Sequence, residues 1–412
     1  MAKKLLKRKS PGPLGPIRFR AEVKSSKKPV LNDNSKYFFT ELSPGVWDIW
    51  SHSTSKFSIR DSLDNNSITD ITIQFSESFT LKYQAYTARY NLSGLVNYTI
   101  NEGVKFNYNT SFKYAFLNCF SLKNVNIPDS AFDTNPNTSI NNMERAFMGC
   151  TSLESIDMSG WFCTYALDQV NEMFKGCTNL TNVTMFNPVV NGLTRSYNMF
   201  EGCTSLIDLV IPWGRNRIFW AADMFRDCVN LTNLDISNWI VYNDGLTGVN
   251  SQGNFSYMFK GCKNLLDTNR FFAPDTNSGK TGGFSDLYRI NNMFEGCKSL
   301  INVDISHLAF YKCVKAGQLF KECSNLESVQ FYTMLHYPPV GDINDMFQCC
   351  ASLVCVNNMN TTASSDHSNV FRLTDWFGCD VSGSSLVQPT SSKITELQSP
   401  AGKSWTNPTA CP

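Results

Sequence analysis

The chain is 412 residues long, 42% hydrophobic and 13% aromatic. That is too long for one small core and too apolar for a disordered chain, so it holds either several domains or an array of repeats. A mean hydropathy of −0.23 and the lack of any apolar run near 18 residues exclude a membrane-spanning helix.

The near-zero net charge of +1 hides an asymmetry. Residues 1–30 carry ten basic side chains, among them Lys3, Lys4, Lys7, Arg8, Lys9, Arg18 and Arg20, against the single acid Glu22. A basic arm on a mildly acidic body suits docking to an acidic protein surface such as a scaffold, capsid or tail subunit, with nucleic acid as the other class of partner. The plain alternative is a solvated, disordered terminus. The basic run meets Pro11-Gly12-Pro13 with no apolar stretch between, so no conventional secretion signal is expected.

Residues 31–110 hold alternating, aromatic-rich runs: Val46-Trp47-Asp48-Ile49-Trp50, 71–75 and 79–83. Bounded by Ser, Asn and Gly, they predict a small β-rich domain or a cap on the first repeat.

From residue 111 to 379 one unit recurs. Phe147-Met148-Gly149-Cys150-Thr151-Ser152-Leu153 is matched by Phe174-Lys175-Gly176-Cys177-Thr178-Asn179-Leu180 and by Phe225-Arg226-Asp227-Cys228-Val229-Asn230-Leu231. The cysteine anchors copies at 119, 150, 177, 203, 228, 262, 297, 323 and 350, with a frayed tenth at Cys379. Phenylalanine stands three residues before it and leucine three after. Phe112, Ala115, Phe116 and Cys119 fall at i, i+3, i+4 and i+7, which predicts a short helical turn. Beyond the cysteine the period shortens (Leu231, Leu234, Ile236), which predicts a short strand. A unit of about 26 residues cannot bury its apolar face alone, so copies must stack. The expected fold is therefore an α/β repeat solenoid, with residues 380–412 a Ser-, Thr- and Pro-rich terminal cap and tail.

The unit resembles the BspA-like leucine-rich repeats of microbial surface proteins, in the variant reading Met-Phe-x-Gly-Cys-x-x-Leu-x-x-Leu-Asp-Ile-Ser-x-Trp. Residues 223–239 follow it closely. The resemblance implies a binding or adhesion role. The missing secretion signal and the basic arm depart from that pattern.

Motifs that could carry chemistry are weak. Ten of the fifteen cysteines hold one repeat position, which predicts buried free thiols beyond disulfide reach of one another. Cys349, Cys350 and Cys355 cluster without a Cys-x-x-Cys pair or a nearby histidine, so no zinc set forms. Ser278-Gly279-Lys280-Thr281 ends like a phosphate loop, but position 274 is proline where that motif needs glycine. His52, His307, His336 and His367 stand apart in sequence, and no triad is signalled. Trp161, Trp213 and Trp239 share, within one residue, a repeat position expected in the core. No catalytic residue, cofactor or metal is expected.

Cysteine spacing is typically 25–27 residues but widens to 34 and 35 around Cys262. Insertions in solenoids form loops, often on the binding face. Tyr242, Phe271, Phe272, Lys280 and Phe284, with Tyr332, His336 and Tyr337 further on, are the candidate partner-binding residues; simple tolerated insertions are the alternative. The expectation for function is a non-enzymatic protein displayed on a virus or phage particle, anchored by residues 1–30, its solenoid touching a host receptor of protein or glycan. The alternative is a bacterial cell-surface adhesin exported by an unconventional route.

Overall fold

A computed structural model describes residues 19–31, 37–52, 67–76, 92–104, 106, 111–132, 140, 142–161, 169–186, 195–213, 220–236, 239, 253–268, 287–305, 313, 315–331, 345–353 and 355–357. A six-stranded sheet opens the molecule. It comprises β1 (Phe19–Ser25), β2 (Phe38–Ser43), β3 (Val46–Ser51), β4 (Ile68–Ser76), β5 (Asn97–Ile100) and β6 (Asn124–Asn126), in the order β2-β3-β1-β4-β5-β6. β1 lies antiparallel to β3 and β4 and buries Phe19, Ala21 and Val23, alternate residues of one face. β4, β5 and β6 are parallel. The sheet thus changes from antiparallel to parallel at β4 and runs on into the solenoid. Phe19 begins a structured strand, so residue 30 is not a structural boundary; residues 1–18 lie outside the described residues.

The coil starts one unit before the first cysteine. Leu92 stands in the cysteine's register place, Leu95 follows three later and is fully buried, and β5 comes next. The Lys123 amide donates to the Val96 carbonyl at 2.9 Å, stacking the next unit on this one. Later units, that of Cys262 excepted, place a short strand that begins five residues after the cysteine: β7 (Ser155–Asp157), β8 (Asn182–Thr184), β9 (Asp208–Val210) and β10 (Asn233–Asp235), then β13 (Asn302–Ile305), β14 (Ser328–Phe331) and β15 (Cys355–Asn357). β11 (Gly253–Asn254) and β12 (Leu287–Arg289) are a parallel pair on the far side of the coil, eight to ten residues before a cysteine. Neighbouring strands pair in parallel. In four of them an inner residue is buried: Ile156, Leu209, Leu234 and Val303 are at most 5% exposed.

The helical turns expected before each cysteine do not form. Among the described residues helical structure is limited to a 3-10 turn at Asp129–Ala131 and a 3-10 residue at Ser67, so the α/β description is corrected to an almost purely turn-and-strand coil. The reason lies in where the backbone amides point. Counting from the cysteine, the residues at −5 and −1 have positive φ in all nine units, as Arg145 (54°) and Gly149 (76°) do beside Cys150. The resulting alternation sends N–H groups at −5, −3 and −1 to the following unit. Arg145 donates to Asn171, Phe147 to Met173 and Gly149 to Lys175, at 2.8–2.9 Å. The intervening amides bond within the unit, Ala146 to Met143 and Cys150 to Phe147. An α-helix would need those outgoing donors for its own i−4 carbonyls. The expected inward face nevertheless exists: Met143, Ala146, Phe147 and Cys150 are fully buried.

Two stacks fill the interior. Nine phenylalanine rings, from Phe116 to Phe347, lie face on face at 5.2–5.6 Å with interplanar angles of 16° or less. Burying each ring contributes roughly 1.5–3 kcal/mol. Beside them runs the cysteine column, whose described members are free thiols. Each Sγ from Cys150 to Cys350 donates to the carbonyl of the preceding unit's phenylalanine at 3.0–3.1 Å. Cysteine is thus more than a small apolar filler, because alanine would supply no donor there. Cys349, beside the column, is disulfide-bonded. Phe186, Trp213 and Trp239 form a second aromatic row, the first pair tilted and the second stacked, all at most 1% exposed.

Gly176 isolates the backbone cost at −1. Its φ is +74° and a Cβ there would meet nothing within 4 Å, so only the left-handed conformation opposes a side chain. Gly176→Ala should cost about 1–2 kcal/mol in denaturant unfolding, and Gly176→Asn clearly less, because asparagine tolerates this region. Equal stability of all three chains would refute the assignment.

Burial pushes the thiols of Cys119 and Cys177 up to about 12, and those of Cys150, Cys203, Cys262, Cys297 and Cys323 well above the ordinary thiol range. Their contribution is intact below the unfolded value of about 8.5 and is lost as pH rises toward the folded one. Guanidinium midpoints should therefore hold level to about pH 8 and fall steeply above about pH 9, each thiol adding about 1.4 kcal/mol per pH unit. Cys203→Ala should shave one proton from that slope; an unchanged slope would mean that the thiol ionises in place.

Candidate interaction surfaces

The wall formed by positions −8 to −1 exposes polar columns in which successive units pair. Lys113 bonds Glu144 at 2.8 Å, Arg145 pairs with Glu172, Lys175 meets Glu201 at 2.7 Å and Lys260 meets Glu295 at 2.8 Å. The hydrogen bond to Glu172 raises the pKa of Arg145 above its ordinary value. These are register devices: opposite charges one unit apart favour this stacking and penalise a slip. Part-exposed pairs of this kind add little stability singly.

The strand wall is different. Its outward residues form hydrogen-bonded polar rows, with Asn124 Nδ2 donating to Asn97 Oδ1 at 2.7 Å and Asn233 Nδ2 to Asp208 Oδ1 at 2.6 Å. One column, four residues after the cysteine, changes character along the coil. It reads Lys123, Glu154 and Thr181, then Ile207, Thr232, Leu266 and Ile301, then Glu327 and, outside the described residues, Val354. Ile207, Leu266 and Ile301 are 49%, 54% and 47% exposed, and Val210 on β9 is 63% exposed. A mostly apolar stretch, with Lys123 and Glu154 before it and Glu327 after it, is therefore displayed on a rigid wall.

The turn wall also changes midway. At position −6, Lys113, Glu144, Asn171 and Tyr197 give way to Ala222, Ser256, Asn291 and Gly317. Where these side chains shrink, a trough of about 620 Å³ opens across five successive units, from Asp223 to Asp345. Its floor is a chain of side-chain hydrogen bonds. Ser256 Oγ meets Asn291 Oδ1 at 2.7 Å, and Asn291 Nδ2 donates to Asn292 Oδ1 at 3.2 Å. Asn292 Nδ2 donates to Gln318 Oε1 at 2.7 Å, and Gln318 Nε2 reaches Asp345 at 3.4 Å. Arg289 and Lys315, bridged through their backbones, are exposed at the rim. Neither has an acidic partner among the described residues. At the other end Asp223 is engaged by Arg226 at 3.2 Å; burial raises its pKa, and Arg226 opposes that shift.

Tyr242, Phe271, Phe272, Lys280, Phe284, Tyr332, His336 and Tyr337 lie outside the described residues, as do Lys3, Lys4, Lys7, Arg8, Lys9 and Arg18. Arg20 is in β1 and gives Nε and Nη2 to Asp48 at 2.7 and 2.9 Å, tying β1 to β3. Sequence reasoning missed both the trough and the apolar column. Their signal was present as residue trends down single repeat positions, −6 and +4, visible only once the units are stacked.

Among the described residues no group of His, Cys, Asp and Glu could hold a metal, and no helix is long and apolar enough to cross a membrane. Residues 113–269 match the family described as BspA type leucine rich repeat region, in six copies. Residues 254–384 match the family described as Mycoplasma protein of unknown function, DUF285. No protein of curated function matches. A leucine rich cell surface protein from Faecalibacterium prausnitzii is 16% identical, with 84% of this chain and 98% of that one covered and a TM-score of 0.32. The T. pallidum leucine rich repeat protein is 18% identical over 56% of this chain and 83% of that one, with a TM-score of 0.26. Superpositions this loose carry no argument about function. The matches indicate no catalytic family, and they lend nothing to the expected virus or phage particle. By sequence and by stacked unit alike, residues 113–269 are similar to the BspA-type leucine-rich repeats.

Proposed function

We propose that this chain is a non-enzymatic binding protein of the microbial cell surface, an adhesin whose strand wall docks on a partner protein. The observation that carries this reading is the apolar column Ile207, Leu266 and Ile301 on an otherwise polar, hydrogen-bonded wall. Exposed apolar residues grouped on one rigid face, rimmed by charge, suit a protein interface. The regular wall needs no ordering on binding, which lowers the entropic cost of association. BspA-type repeats support a surface location better than a particle.

Two measurements test it. Intact producing cells treated with a membrane-impermeant amine label should yield labelled protein; label only after lysis would overturn the surface location. Beads coated with purified protein should adhere to cultured animal cells, and Ile207→Asp, Leu266→Asp and Ile301→Asp together should reduce adherence about tenfold or more. The same triple variant should unfold at an unchanged denaturant midpoint, since these side chains are half-exposed. Undiminished adherence would remove the strand wall as the docking face.

A further inference from the structure

We infer that the trough on the turn wall is a second, separate site, which binds an acidic oligosaccharide. Its shape comes first. The small residues Ala222, Ser256 and Gly317 clear a channel over five units, on the order of 20 Å at a unit spacing of about 4.8 Å. That suits an extended chain of sugars rather than one compact ligand.

The lining chemistry comes second. The floor is built from amides and a hydroxyl that already hold one another from Ser256 to Asp345, so they present fixed donors and acceptors. Asn254 spends its oxygen on the Ser256 amide at 3.1 Å, leaving its NH₂ group for a ligand. Such groups match the paired donor and acceptor character of sugar hydroxyls. A protein partner would call for an apolar or aromatic anchor pocket, and this channel offers only Tyr257.

The charge comes third. Several cations on this wall are matched by an acid of the next unit, as Lys113, Arg145, Lys175 and Lys260 are. Arg289 and Lys315 have no such acid among the described residues, and they stand one unit apart on one column at the rim of the channel. Arg289 rests instead over the ring of Tyr288, 5.7 Å from its centroid. Two unmatched cations beside a preorganised polar floor suit a carboxylate or sulfate carried on a sugar chain. The acids at the two ends do not cancel them: Asp223 is held by Arg226, and Asp345 takes the Gln318 amide.

The test is calorimetric titration of the full chain with hyaluronan oligosaccharides (carboxylate), chondroitin sulfate oligosaccharides (sulfate), neutral dextran oligosaccharides and inorganic polyphosphate. Binding of a carboxylated or sulfated sugar, with no binding of dextran and weaker binding of polyphosphate, is the expected result; the two acidic sugars distinguish the anionic group. Arg289→Ala with Lys315→Ala should weaken binding about tenfold or more. Ala222→Tyr puts into the channel the residue that Tyr197 supplies one unit earlier, so it should abolish binding at the channel end while the chain stays folded. Polyphosphate binding as tightly as the sugars would reduce the site to a charge patch and overturn the proposal. So would binding indifferent to both variants, or no sugar binding at all. The strand-wall triple variant should bind sugar normally, so adherence and sugar binding fail independently.

Discussion

Everything in this solenoid depends on the phenylalanine three residues before each cysteine. Its ring carries the stack, its amide reaches forward to the next unit, and its carbonyl accepts both its own cysteine's amide and the next cysteine's thiol. Four interactions meet at one residue, three of them crossing between units. A unit by itself has neither a buried face nor satisfied amides; stacked, it has both. The stability of such an array lies in its interfaces rather than in its members.

The stacked coil was legible in the sequence because burial alone fixes its period. Phe, Cys and Leu at −3, 0 and +3 are buried in every described unit, and the strand after the leucine follows from its alternation. The helix was not legible. Spacing of i, i+3, i+4 and i+7 states which residues point inward, and two consecutive i−3 turns satisfy it as well as a helix does. What decides between them is positive φ at −5, where Tyr114, Arg145, Glu172 and Asn198 share no common chemistry. Only the recurrent glycine at −1 hinted at it. The opening unit at Leu92 was hidden for a simpler reason: it lacks both the cysteine and the phenylalanine by which the others are recognised.

The functional surfaces were less legible than the fold. Attention to long insertions and aromatic loops comes from single units read along the chain. The trough and the apolar column belong instead to the second dimension, the trend down one position across units. A lysine, a glutamate, an asparagine and a tyrosine at −6 followed by alanine, serine, asparagine and glycine means nothing until the units are superposed. Once they are, it marks where the wall recedes. Similarly, an isoleucine after a leucine-rich corner is unremarkable alone, and three exposed apolar side chains in one column are not.

The alternating turn wall has a final consequence. In a unit such as that of Cys150 four peptide groups point the same way, the N–H of Met143, Arg145, Phe147 and Gly149 toward the next unit and their C=O toward the one before. Ordinary sheets cancel such moments and helices add them. This wall adds them over the eight units from Cys119 to Cys323, perpendicular to the chain rather than along it. The coil is therefore a long electric dipole, positive toward its C-terminal side. Acceptors or negative charge suit that side and donors or positive charge the other, so the two ends of the array are not interchangeable.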